Sequence, residues 1–280
     1  MKAACIQMRS GLSRADNTAD ASALIREAAG QGADLILTPE MTNVVDRKPR
    51  RLFDHLGHED ELEELSIFSA LAKELEVHLI IGSCAVALDR DFSSRRAANR
   101  TYFFGPDGGT LATYDKIHMF DVDLPDGESW KESNVYRPGK AAEVVETPLG
   151  KIGLSICYDL RFPRLYRTLA QSGARLMTVP AAFTRQTGRA HWEPLLRARA
   201  IENGAFVMAA AQGGTHEDGR ETWGHSMIVG PWGDIISEKS DDEPGIVIAE
   251  IDLADADKVR QRIPSLGLEQ GFEINNIKGL

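Results

Sequence analysis

Three side chains able to take part in covalent chemistry stand where apolar, strand-like runs end. Cys157 follows the run 151–156 and leads at once into Arg161, Phe162 and Pro163; Glu40 follows 34–38 across Pro39; Lys116 closes 110–116. In sheet proteins, the carboxyl ends of strands are where ligands bind. A run that ends at Cys157 and turns directly into a helical stretch has the form of a nucleophile elbow, whose following N–H groups and helix start favour a thiolate and an oxyanion. A thiol nucleophile needs a proton acceptor, a departing amine needs a proton donor, and the developing oxyanion needs positive charge. One carboxylate and one lysine supply those roles.

Each residue alone has a plainer reading. Cysteine is among the most buried residue types, so Cys157 reads as a core thiol, and Glu40 and Lys116 read as solvated charges after strands. His118, His191 and His225 are alternative bases, which leaves a Cys-His arrangement open. Cys5 and Cys84 lie inside strand-like runs among small neighbours and read as structural. Tyr158 and Phe183 follow strand ends near the candidate nucleophile and could wall a pocket, as could Trp130 and Trp192, which fit a core equally well. Arg161, Arg185, Arg189 and the 47–51 group offer cations that could meet a substrate carboxylate, although the last reads first as a solvated loop. His55 and His58, among acidic residues, read as an exposed helix start and not as a metal site.

The elements that must position these groups follow from period and punctuation. Strands are expected at 2–8, 34–38, 77–88, 99–105, 110–116, 141–146, 151–156, 175–179, 205–212, 225–229, 235–238 and 246–251, and twelve strands imply two sheets. Helical spacing runs through Leu24, Ile25 and Ala28; Leu62 to Leu75; Leu165 to Ala170; and Leu195 to Ala200. Turn residues at 106–109, 148–150 and 231–234 separate strand pairs as hairpins do, so antiparallel pairs mix with crossover helices in an α/β or α+β sandwich. With no repeat or linker, residues 1–264 read as one domain, and 265–280 as a tail that docks on a partner subunit. Residues 117–140 have no clear period, and connections of that length are usually functional.

Composition narrows the function classes. The 280 residues are 42% hydrophobic and 26% charged, as globular chains are, and the longest apolar run, 205–211, is far short of the roughly twenty residues of a membrane span. A net charge of -10 works against nucleic acid and anionic membrane as partners. The amino terminus lacks a signal-peptide pattern and the three cysteines form no CxxC pair, so a cytoplasmic protein without a disulfide framework or zinc site is expected.

Taken together, three motifs resemble the nitrilase superfamily of carbon-nitrogen hydrolases: Pro39-Glu40; Tyr114-Asp115-Lys116-Ile117-His118; and Ile156-Cys157-Tyr158-Asp159-Leu160-Arg161-Phe162-Pro163. The resemblance runs from residue 1 to about 264. It implies a four-layer α-β-β-α sandwich that pairs into a homodimer, a Glu40-Lys116-Cys157 triad, and a supporting second glutamate at Glu132 in the long segment. The segments 120–125, 187–193, 196–202 and 224–227, with Ala209 to Gln212 and His216, are similar to the Nit-type amidase branch. That branch implies a small-molecule amide substrate, a Cys thioester intermediate and no cofactor or metal. Deaminated glutathione is expected ahead of α-ketoglutaramate, and nitriles are expected to be untouched. Two rivals remain from other classes: a metal-dependent phosphodiesterase on an αββα fold, with Glu40 and His225 as donors, and a non-enzymatic interaction module, against which the full set of chemical residues speaks.

Overall fold

The computed structural model describes residues 1–91, 93–124, 127 and 129–274. The chain runs β1 (Lys2–Gln7), α1 (Arg14–Gly30), β2 (Leu35–Leu37), α2 (Pro49–His55), α3 (Glu63–Leu75), β3 (His78–Ala87), β4 (Ala97–Phe104), β5 (Thr110–Asp115), β6 (Asp121–Asp123) and β7 (Ser129–Lys131). It continues through β8 (Val144–Thr147), β9 (Gly150–Gly153), α4 (Pro163–Gln171), β10 (Leu176–Thr178), α5 (Arg185–Asn203) and β11 (Phe206–Ala209). The last elements are β12 (Gly213–Thr215), β13 (Glu221–Trp223), β14 (Met227–Val229), β15 (Ile235–Glu238), β16 (Gly245–Glu250) and α6 (Ala254–Arg262).

Twelve of these strands are the expected ones, and they form two six-stranded sheets of order β16-β1-β2-β3-β4-β5 and β15-β14-β11-β10-β9-β8. Each has a parallel centre, β1-β2-β3 and β9-β10-β11, flanked by antiparallel strands. The period of two along β1 explains the layering. Ala3 and Cys5 pack with Leu154, Ile156 and Leu176 of the second sheet, whereas Ala4 and Ile6 pack with Ile25 of α1 and Phe68 of α3. Beyond the second sheet, Leu165 and Leu169 of α4 and Trp192 and Leu196 of α5 complete the α-β-β-α sandwich.

Several elements depart from the sequence reading. The 117–140 segment holds the β6–β7 hairpin and a one-turn 3-10 helix, Glu132–Asn134, held by backbone pairs too short to show a period. Residues 49–55 form α2 with Pro49 in its first turn, where a missing N–H costs nothing; Arg51 in that helix pairs with the buried Asp46. His58 starts a helical turn as expected, capping the 3-10 turn Glu59–Glu61, whereas His55 closes α2 instead of opening a helix. β11 stops at Ala209, because Ala211 bridges to Ala181 and Gln212 bridges across to Met8 at the end of β1. In the tail, Leu268 and Phe272 are exposed, and 275–280 lie outside the described residues, as does Pro125 of the 120–125 motif.

Candidate active site

Glu40 stands in a tight turn after β2, with Met41 in the left-handed region at φ 56°. The turn lies directly on β3 because Gly82 has no side chain: a Cβ there would sit 2.0 Å from the Thr38 carbonyl oxygen and 2.7 Å from that of Pro39. Ser83 Oγ accepts from the Met41 N–H, and Gln212 Nε2 donates to the Glu40 carbonyl, so β3 and the segment after β11 together hold the loop. Lys116 follows β5, held through Gly139, whose N–H donates to the Lys116 carbonyl and whose Cβ, if present, would be 2.1 Å from the Asp115 carbonyl oxygen.

Cys157 sits at the expected elbow. Its φ is 49°, uncommon and strained for a residue with a side chain, and it opens the 3-10 turn Cys157–Arg161 that runs into α4. Its N–H is taken by the Pro180 carbonyl, and the N–H of Asp159 by Ile156, which leaves the Tyr158 N–H without an acceptor in its own turn. Asp159 locks the elbow. Its Oδ2 accepts from Tyr114 Oη at 2.7 Å and the Ile156 N–H at 2.9 Å, and its Oδ1 accepts from the His118 N–H at 3.0 Å and contacts His118 Nδ1 at 2.7 Å.

The three residues, with Glu132, converge at the base of one cavity of about 340 Å³. Lys116 Nζ lies 2.8 Å from Glu40 Oε1 and 2.9 Å from both Glu132 oxygens. Glu40 Oε2 accepts from the Ala182 N–H at 2.9 Å, and Glu132 Oε2 from the Phe120 N–H at 2.6 Å. Asn99, buried inside β4, bridges the two carboxylates, donating to Glu40 at 2.9 Å and to Glu132 at 3.3 Å. A buried amide within an apolar strand is the signal that could have pointed to it in the sequence.

Electrostatics assigns the protons. Burial pushes the Glu40 carboxyl up, but the Lys116 charge and hydrogen bonds from the Cys157 thiol and Lys116, together with the more distant Arg220 charge, hold it below the ordinary range. Burial lowers the Lys116 ammonium, and the Glu132 and Glu40 charges more than reverse this, so it stays charged. Burial and the Glu40 charge push the Cys157 thiol well up, against the opposing pull of Lys116. Cys157 therefore rests as a neutral thiol beside an ionised carboxylate, where the elbow alone favours a thiolate; burial and a neighbouring anion outweigh the turn's N–H groups.

Tyr158, Phe183 and Arg161 all line the cavity, with the Arg161 guanidinium 5.8 Å and 5.3 Å from the two ring centroids. Trp130 joins them, whereas Trp192 is core. Arg47, Tyr136 and Arg220 complete the wall; nothing in the sequence marked Tyr136 or Arg220. The three candidate histidines lie elsewhere. His118 stacks on Phe162 at 3.5 Å, His191 meets Arg161 at the surface, and His225 stacks on Trp223 at 4.3 Å, away from Glu40. Of the other arginines considered, Arg185 pairs with Asp242 and does not line the cavity, and neither does Arg189.

An α-β-β-α sandwich with a carboxylate, an ammonium and a thiol joined at the ends of three strands is the architecture of a hydrolase acting through cysteine. Residues 2–261 match the carbon-nitrogen hydrolase family, and the chain belongs to it. It is 39% identical over 275 residues to a deaminated glutathione amidase of Synechocystis, covering 94% of this chain and 96% of that protein. It is 37% identical to the omega-amidase NIT2 of Danio rerio, covering 93% and 91%. Among solved structures, the C. elegans NitFhit protein superposes with a TM-score of 0.88 at 34% identity, over 96% of this chain and 65% of that longer one.

Proposed function

We propose that this amidase hydrolyses small α-keto-acid amides through a Cys157 thioester, with deaminated glutathione as the preferred substrate and α-ketoglutaramate the runner-up. The observation that carries the mechanism is the placement of the Glu40 carboxylate, held by Ala182, Asn99 and Lys116, in the same cavity lining as Cys157. Glu40 takes the thiol proton as sulfur attacks the amide carbonyl carbon, and Lys116 Nζ with the Tyr158 N–H holds the oxyanion. Glu40 returns the proton to the nitrogen as the carbon-nitrogen bond breaks, leaving an acyl thioester and releasing an amine or ammonia. Water then gives Glu40 a proton as it attacks the thioester, and the proton passes back to sulfur as the carboxylic acid leaves. Glu132 orients Lys116. Tyr158, Phe183 and Arg161 form the wall against which the substrate lies.

The substrate reading is supported by the relatives named above and by the charge of the cavity. Among the described residues, five cationic side chains, Arg47, Lys116, Lys131, Arg161 and Arg220, line the cavity with three carboxylates, in a chain whose net charge is -10. We also read the protein as a cytoplasmic homodimer; its three free cysteines fit a reducing compartment, and the exposed Leu268 and Phe272 of the tail offer apolar contacts to a second copy. No described helix is long and apolar enough to cross a membrane. The test is a comparison of kcat/KM for deaminated glutathione, α-ketoglutaramate, an aliphatic amide and a nitrile, read as ammonia or amine release. A preference for the nitrile or the aliphatic amide would overturn the substrate assignment.

A further inference from the structure

Two nitrogen donors in the cavity wall are buried and have no acceptor among the described residues: Nε of Arg220 and Nε1 of Trp130. Buried donors left unpaired are costly, so each calls for something that a folded protein meets in use. The two are neighbours, with the Arg220 guanidinium carbon 4.8 Å from the Trp130 ring centroid. They come from different parts of the chain, Trp130 from β7 and Arg220 from the turn between β12 and β13.

Arg220 is also held firmly. Its Nη2 donates to the Ala182 carbonyl at 2.5 Å, and the Ala182 N–H holds Glu40, so the backbone of one residue links this guanidinium to the proton carrier. Its own N–H donates to Asp218 Oδ1, while Asp218 Oδ2 accepts from the Arg47 N–H, which ties the two arginine-bearing loops together. Among the described residues no carboxylate lies within ion-pair distance of Arg220, and the cavity's carboxylates are committed elsewhere, Glu40 and Glu132 to Lys116 and Asp46 to Arg51. Two donors, one of them cationic and neither neutralised, match an anionic oxygen better than a neutral carbonyl.

We propose that Arg220 and Trp130 together form a subsite for a carboxylate of the substrate, with Arg220 setting the preference for an anionic amide over a neutral one. The inference rests on the α-keto-amide reading and adds the residues that recognise the charge. Carboxylates on the acyl side and on the leaving-amine side have the same chemistry, and the experiment separates them.

The test compares kcat/KM of the wild type, Arg220→Met and Trp130→Phe on deaminated glutathione and on its two monomethyl esters, one at the keto-acid carboxylate and one at the glycine carboxylate. Esterifying the carboxylate that docks should lower the wild-type value about ten- to a hundredfold, the range for a charge-assisted hydrogen bond. In Arg220→Met that acid-to-ester ratio should collapse towards one. Trp130→Phe, which keeps a ring and loses only the N–H, should reduce the ratio in the same direction by less, and it carries the test if Arg220→Met disturbs the hairpin. A ratio unchanged in both variants, or acid and ester slowed by one common factor, would overturn the subsite. A wild type that prefers neutral amides would instead sink the substrate reading on which it rests.

Discussion

Tyr114 Oη donates to Asp159 Oδ2 at 2.7 Å, joining the strand that delivers Lys116 to the elbow that delivers Cys157. Both residues are buried; Tyr114 lies in β5 of the first sheet and Asp159 in the turn that follows β9 of the second. The lysine and the cysteine are thus placed by one hydrogen bond across the sandwich as well as by their own strands.

Asp159→Asn should therefore damage the site without touching substrate. The amide cannot accept from Tyr114, Ile156 and His118 at once, and breaking such a buried network costs about 2 to 4 kcal/mol. Urea denaturation should show that loss, and kcat should fall about tenfold or more as the elbow loosens. Unchanged stability would show that Asp159 is not the lock.

In the proposed mechanism the thiol carries the covalent step. Cys157→Ala should keep the wild-type fold and lose hydrolysis, since the small side chain fits the elbow and cannot form a thioester. Intact-mass analysis of the wild type, quenched shortly after substrate addition, should find one acyl adduct, with peptide mapping placing it on Cys157. Cys5 and Cys84 are fully buried and, unlike Cys157, do not line the cavity, so neither should be modified. An adduct on either would contradict the assignment.

Removing the charges should separate their roles. Lys116→Met takes away the oxyanion's cationic partner, for a loss of roughly a hundredfold or more in kcat. It also leaves Glu40 and Glu132 buried without their shared cation, so its stability should fall by about 3 to 5 kcal/mol. Glu40→Gln keeps the shape but cannot shuttle a proton, and should be comparably slow. If replacing His118, His191 or His225 abolished activity while Glu40→Gln was tolerated, the base would be misassigned.

The hairpin that presents Arg220 carries its own acid sensitivity. His216 is buried between the Ser10 carbonyl and Thr222 Oγ1, and burial first, with nearby arginines, lowers its pKa to about 4. Its folded-state pKa lies below the unfolded value of about 6.5, so between those values the unfolded chain binds a proton that the folded chain does not. This contribution, up to about 3 kcal/mol, is complete above pH 6.5 and is lost as the pH falls towards 4. Urea denaturation at pH 7 and 4.5 should show a smaller loss for His216→Gln than for the wild type. An equal loss in both would place the acid sensitivity elsewhere.

The twelve main strands were legible in the sequence because each is an apolar run bounded by turn residues; two sheets followed from their number, and the four layers from the family resemblance. Glu40, Lys116 and Cys157 were legible because each ends such a run in a motif shared with a known family. What required the tertiary structure was everything that depends on separate runs meeting. Asn99 between two carboxylates, Asp159 between two sheets, and Arg220 on Trp130 are contacts between residues 33 to 90 positions apart, and neither local period nor turn chemistry encodes them. The protonation of Cys157 belongs here too, because it is decided by the depth of burial and the charge of Glu40, a neighbour only in the folded chain.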